Sequence, residues 1–175
     1  AECERDMGEG GGPLWREALR KMGRDGWIGV GWTEAWGGRG MTPLEQFIFV
    51  EEVMRAGYPF PFLTTESVGP VLAEQGSDWV KRELVPKILN GELLISIGYS
   101  EPGAGTDLAS LTTSAVRDGD EWVITGRKMW ITNGGFADVL TVFAKIDNDR
   151  VLSAFIVESD TPGISTNPEE KKMGI

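Results

Sequence analysis

A chain of 175 residues with 41% apolar and 25% charged content is long enough for one ordinary domain or two small ones, and its composition is that of a globular protein rather than a disordered one. Twenty-seven acids against 17 bases give a formal charge of -10, which argues against broad electrostatic capture of nucleic acid or of anionic membranes. With no histidine and a single cysteine, Cys3, the chain cannot build a Ser-His-Asp triad, a histidine-ligated metal site, a thiolate zinc site or an intrachain disulfide, so redox or transfer chemistry needs a borrowed cofactor.

The first residues, AECERDMGEGGGP, carry no apolar stretch of the kind a secretory signal requires, and GEGGGP at residues 8–13 reads as a flexible link or the scar of a disordered loop. No apolar run approaches the ~20 residues of a membrane span. Residues 14–22 and 42–56 place apolar side chains at helical spacing. In the second segment Leu44, Phe47, Ile48 and Met54 fall on or near one side, while Glu45, Glu51, Glu52 and Arg55 favour the other. The intervening GWIGVGWTEAWGGRGMTP predicts irregular backbone, with Thr42 as N-cap and Pro43 at the first helical position. A further helix is expected from Ser77 or Asp78 to Leu89, with Val80, Leu84 and Ile88 as its stripe, bent by Pro86 and stopped by Asn90-Gly91.

Beyond residue 92 the apolar period drops to two or to short runs. Strands are expected over residues 93–99, 112–117, 121–125, 139–145 and 152–158, with Asp118-Gly119-Asp120 turning the chain between the second and third. The fold class is therefore α+β, a helical domain over residues 1–92 followed by a small antiparallel β-domain over residues 93–175.

The stretch GYSEPGAGTDLAS at residues 98–110 combines small residues, hydroxyls and acids. Gly103-Ala104-Gly105 begins a dinucleotide fingerprint, but Leu108 stands where the third glycine belongs, and no lysine follows in the P-loop arrangement. Taken alone, the loop reads as a turn after a strand, and its hydroxyls as local caps. Small residues at 103–105 would also let backbone N–H groups approach a carbonyl or phosphate oxygen. The acid pairs Glu51-Glu52 and Glu169-Glu170 read as solvated faces rather than catalytic dyads.

Residues 98–107, GYSEPGAGTD, resemble the first signature of the acyl-CoA dehydrogenases, and residues 128–135, KMWITNGG, resemble a second block of the same β-domain. GWIGVGWTEAWGGRG resembles the family's glycine-rich turn between N-terminal helices, and PEEKKMGI resembles the stretch leading towards its third domain. The resemblance implies an acyl-CoA dehydrogenase-like fold in truncated form: the N-terminal helical domain and the middle β-domain with its flavin-binding motifs, without the C-terminal bundle. The implied cofactor is FAD, lined by Ile97, Gly98, Tyr99, Ser100, Gly105, Thr106, Trp130, Ile131 and Thr132, with Thr106 also serving the CoA thioester of the substrate. Trp130 would pack against the isoalloxazine, and Thr132, two residues on and so on the same strand face, would reach N5; Glu101 and Asp107 would be structural acids that accept backbone hydrogen bonds.

The implied reaction is α,β-dehydrogenation of an acyl-CoA thioester to a trans-2-enoyl-CoA, a step of lipid β-oxidation. A carboxylate takes the α-proton and a hydride passes to flavin N5. No catalytic residue is placed here, because the family's glutamate base lies in the C-terminal bundle, beyond Ile175. Implied partners are the acyl-CoA, an electron-transferring flavoprotein or similar acceptor, and other subunits of a homo- or hetero-oligomer. The implied setting is the cytoplasm, or the mitochondrial matrix in a eukaryote. The alternatives are an acyl-CoA oxidase or flavin monooxygenase of the same fold, or a non-catalytic flavin- or CoA-binding subunit. The N-terminal half resembles members acting on sterol-derived CoA esters and the segment after Trp130 resembles long-chain members, so the acyl group stays open.

Overall fold

The structure is a computed structural model that describes residues 11–146, 152–168 and 170. Cys3, Glu169, the first part of the GEGGGP link and most of PEEKKMGI lie outside the described residues. The chain divides into two compact units, Ala1–Leu94 with Pro168–Ile175 and Ile95–Asn167.

The first unit is helical. Helix α1, Pro13–Arg24, starts on a proline and ends with Lys21 and Arg24 against its negative pole. Its stripe of Trp15, Leu19 and Gly23, spaced four apart, is buried. Gly23 is required by packing, since a Cβ there would collide with the backbone of Asn90. Trp15 is tied down by three contacts: its indole donates to the Pro59 carbonyl at 2.8 Å, its own carbonyl accepts from the Tyr58 hydroxyl at 3.0 Å, and the two rings stack. The Trp32 indole donates to the Thr65 carbonyl at 2.9 Å. These tryptophans are core residues whose polar edges are satisfied within the unit.

Helix α2, Pro43–Arg55, opens with the expected cap. Thr42 and Glu45 form a reciprocal capping box. Its packing differs from the expectation. Val50 is buried and Gln46, Phe49 and Val53 are half-buried, whereas Leu44, Phe47, Ile48 and Met54 are exposed, Leu44 and Phe47 at 67% and 63%. The apolar side read from the sequence faces outward, along a groove of about 650 Å³ that Phe47, Met54, Phe62 and Glu66 help to line.

Two elements went unread in the sequence, a wide π-type turn at Leu63–Val68 and helix α3 at Gly69–Gln75. Proline, glycine and paired threonines across residues 57–70 give no helical signal. Burial of Thr64 and Thr65, with the Thr65 hydroxyl donating back to the Pro61 carbonyl at 3.2 Å, shows that tertiary packing overrides propensity there. The helix expected to reach Leu89 is two, α4 at Asp78–Glu83 and α5 at Val85–Leu89. Pro86 has no N–H to give to the preceding turn and constrains Val85, so the run breaks at Leu84 rather than bending. Among the described residues no helix is long and apolar enough to cross a membrane.

The second unit is a five-stranded sheet: β1 Ile95–Gly98, β2 Ser114–Asp118, β3 Glu121–Thr125, β4 Val139–Ile146 and β5 Leu152–Glu158. The path runs β1-β4-β2-β3, with β5 paired to the same β4. The sheet is mixed, which corrects the expectation of an antiparallel one. Strand β4 pairs parallel with both β1 and β2, and only β2–β3 and β4–β5 are antiparallel. Strand alternation carries no information about direction; the long excursion between β1 and β4 brings the chain back the same way, and only the two short links close hairpins. In the first hairpin Asp118 faces Glu121, and Gly119, at φ 61, takes the left-handed position that the two-residue turn demands. Ile95, Leu111, Ala115 and Ala144, all at 0% exposure, form the core that supports the loops described next.

Candidate functional site

Strand β1 delivers the chain into the loop at residues 99–110. Ile97 pairs with Thr141 and Gly98 with Val142, and the Tyr99 ring then lies 4.2 Å from the Phe143 ring, centroid to centroid. A tight turn follows: Glu101 and Ala104 exchange backbone hydrogen bonds of 2.8 and 3.1 Å around Pro102-Gly103, with proline in its favoured second place. Ser110 closes the loop, its N–H and hydroxyl both donating to the Asp107 carbonyl. Asp107 shapes the loop through its backbone, not through the carboxylate as expected.

Glu101 is the anchor. One carboxylate oxygen accepts from the Thr112 N–H at 2.6 Å and hydroxyl at 2.8 Å. The other accepts from the Thr113 N–H at 2.9 Å, from the Thr113 hydroxyl, and from the Lys128 ammonium at 2.9 Å. The side chain is 4% exposed. Burial pushes this carboxyl up, but the hydrogen bonds from Thr113, Thr112 and Lys128 outweigh it and hold it well below the usual carboxylate range. Glu101 therefore joins the loop to the start of β2 and to the block at 128–135.

That block is a loop. Residues 127–138 contain no strand, which removes the parity argument that put Trp130 and Thr132 on one strand face. Trp130 and Asn133 instead adopt left-handed backbone, φ 60 and φ 64. Asparagine tolerates that region, whereas an indole-bearing residue there is an outlier of the kind that clusters at functional sites. Three bonds hold the arch against β1 and the loop beyond it. The Met129 N–H donates to the Ser100 carbonyl at 3.0 Å, the Lys128 ammonium to the Tyr99 carbonyl at 3.2 Å, and the Asn133 side-chain amide to the Ile95 carbonyl at 3.3 Å. Between these staples Trp130 stands 61% exposed with Ile131 half-buried and Thr132 exposed.

The structure thus brings residues 97–100 beside 128–133. Gly105 and Thr106 are exposed on the same loop. Lys128, Thr112, Thr113 and Asn133 were missed from sequence, because a lysine 27 residues from its acid gives no local signal.

Gly103 and Gly105 test whether this surface fits a group bearing carbonyl and phosphate oxygens. Neither has left-handed φ, and a Cβ at either would meet nothing within 4 Å. The chain's own packing does not demand glycine at these places, and the bare backbone leaves room for an approach from outside. Among the described residues, the N–H groups of Ser100, Gly103, Gly105 and Thr106 have no backbone acceptor. Free donors, exposed hydroxyls on Thr106 and Thr132 and an exposed indole face suit a planar heteroaromatic group with a polar edge.

Comparisons with known proteins bear on the family and the fold. The family profile "Acyl-CoA dehydrogenase, N-terminal domain" matches residues 2–92, and "Acyl-CoA dehydrogenase, middle domain" matches residues 96–175. Acyl-CoA dehydrogenase FadE26 of Mycobacterium tuberculosis is 43% identical over 172 residues, covering 94% of this chain and 43% of that protein. The solved structure described as the Tcur3481-Tcur3483 steroid ACAD superposes with a TM-score of 0.89 at 44% identity, over 96% of this chain and 45% of that one. An acyl-CoA dehydrogenase from Bacillus anthracis, solved in complex with FAD, superposes at 0.80 with 36% identity, over 91% of this chain and 28% of that one. The chain spans less than half the length of these relatives.

Proposed function

Because the chain belongs to the acyl-CoA dehydrogenase family, we propose that it provides the flavin-facing part of an enzyme that dehydrogenates an acyl-CoA thioester between its α and β carbons. The observation that carries this is the pair of loops stapled side by side, one offering uncommitted N–H and hydroxyl donors and the other an exposed indole.

In this reading Ile97 to Ser100 line the flavin, the Ser100 and Thr106 N–H groups and hydroxyls donate to its polar edge, and Gly105 admits the backbone without a Cβ in the way. The Trp130 indole covers the ring, Ile131 shields it, and Thr132 adds a hydroxyl donor. Thr106 also faces the thioester side. When bound, FAD supplies the two-electron acceptor for oxidation of the Cα–Cβ bond. The α-proton requires a carboxylate base and donors to the thioester oxygen, and neither is assigned to a residue of this chain. A steroid-type acyl group is the favoured substrate, supported by the 44% identity to a structure described as a steroid ACAD. The same structure, whose description names two components, supports assembly with a second type of subunit.

The test is to purify the complete enzyme to which this chain belongs, add FAD, separate the free flavin, and titrate the yellow holoprotein with steroid-bearing and straight-chain acyl-CoA esters. Retained flavin that bleaches with the steroid ester before the straight-chain one is expected. A protein that stays colourless after reconstitution refutes the cofactor assignment, and equal bleaching by all esters refutes the steroid preference. Rapid reoxidation in air, without an added electron acceptor, would mark an oxidase instead.

A further inference from the structure

The Lys128–Glu101 pair stands apart from the other ion pairs among the described residues. Lys21–Asp25, Arg55–Glu51, Arg55–Glu52 and Arg82–Glu83 all have side chains more than 40% exposed, whereas Lys128 is 14% and Glu101 4% exposed. Burying an ammonium costs more than a surface pair returns, so the lysine needs a reason to be there. Satisfying Glu101 is not that reason. A carboxylate offers about four lone-pair sites, and the N–H and hydroxyl groups of Thr112 and Thr113 already fill them.

The second bond of the ammonium points to the reason. Lys128 Nζ donates to the Tyr99 carbonyl, and that carbonyl shares its peptide group with the Ser100 N–H. A cation on the oxygen draws electron density along the amide and makes the N–H at its other end a stronger donor. That N–H has no backbone acceptor among the described residues, and the next carbonyl, that of Ser100, is fixed by the Met129 N–H. The stem of Lys128 runs close over Gly98, where a Cβ would sit 3.5 Å from its Cγ. The peptide is thus held from both sides, and the ammonium is held in turn by Glu101.

Resting on the flavin assignment above, we propose that Lys128 is a positioning residue of the flavin site: clamped by Glu101, it fixes and polarises the Tyr99–Ser100 peptide so that the Ser100 N–H is presented as a strengthened donor to the flavin. A strengthened donor favours the electron-rich reduced flavin over the oxidised one, so the lysine raises the reduction potential through the peptide, without touching the cofactor.

The experiment compares wild type, Lys128→Met, Lys128→Arg and the double variant Lys128→Met/Glu101→Gln, each as the full chain reconstituted with FAD. Potentials are read by equilibration with redox dyes, and FAD dissociation constants are measured alongside. Lys128→Met is expected to make reduction about tenfold less favourable, a shift of about -30 mV for a two-electron couple. The double variant keeps that negative shift because the Tyr99 carbonyl still lacks its donor, and Lys128→Arg restores most of the wild-type value. If Lys128→Met fails to fold, the double variant, which buries no unpaired charge, decides. A double variant at the wild-type potential would show that the pair only holds the fold, and would overturn the proposal. So would Lys128→Met with an unshifted potential. A wild-type protein that takes up no FAD overturns the flavin assignment itself, a different result from FAD uptake with an unmoved potential.

Discussion

Replacing Glu101 with alanine removes one acceptor from five donors, and their surroundings set the cost. Thr112 is exposed, so its N–H and hydroxyl regain water at little expense, but Thr113 is 1% exposed and loses the partner of both donors. Lys128 is left as a nearly buried, unpaired cation. Breaking a buried ion pair from one side costs about 3–5 kcal/mol, and unmet buried donors cost about 1–3 kcal/mol each. These overlap, because water admitted to the space left by the carboxylate serves lysine and threonine together. A net loss of about 4 kcal/mol is therefore expected, which lowers the urea midpoint by about 2 M at a slope near 2 kcal/mol per M. Urea unfolding followed by near-UV circular dichroism, with Asp107→Asn as the exposed control expected to stay within about 0.5 kcal/mol, measures it. A midpoint shift below about 0.5 M for Glu101→Ala would show that the carboxylate is not the anchor described.

The same carboxylate makes stability depend on pH. Its folded pKa is depressed below the ordinary 4.5, so its contribution is fully present above the ordinary carboxylate range and is lost as the pH falls below it. Acid titrations of wild type and Glu101→Gln should stay a constant distance apart above about pH 5 and converge as the pH falls from there into strong acid, and a separation unchanged down to strong acid would contradict this. Trp130→Ala should raise the FAD dissociation constant about tenfold or more, the worth of one aromatic stacking contact. Trp79→Ala, at a similarly exposed tryptophan of the first unit, should leave it unchanged, and equal effects would indicate general loss of packing. On α2, Val50→Ala should cost about 1–2 kcal/mol and Phe47→Ser less than about 0.5 kcal/mol. The reverse order in thermal unfolding would mean that the exposed face is covered in solution.

The sequence determined a good deal by itself. Period-two alternation located β3 and β5 to the residue and the remaining strands to within a few, because each strand must present one face to a core. Thr42 before Pro43, and Asp118-Gly119-Asp120, announced their cap and turn, since both are local hydrogen-bond or backbone requirements. The two motif blocks identified the family and put Glu101 in a structural role. Tertiary structure decided what depends on distance along the chain. The mixed sheet follows from where β4 inserts, which alternation cannot encode. The buried faces of α2 and the existence of α3 follow from packing around Tyr58, Phe60, Thr64 and Thr65, against local propensity. Trp130 was legible as a residue of interest, yet its left-handed backbone was not. That conformation exists because Lys128, Met129 and Asn133 fasten the arch to residues about 29 to 38 positions earlier. A single carboxylate buried among two threonines and a lysine joins segments that the sequence leaves apart, and only folding sets that geometry.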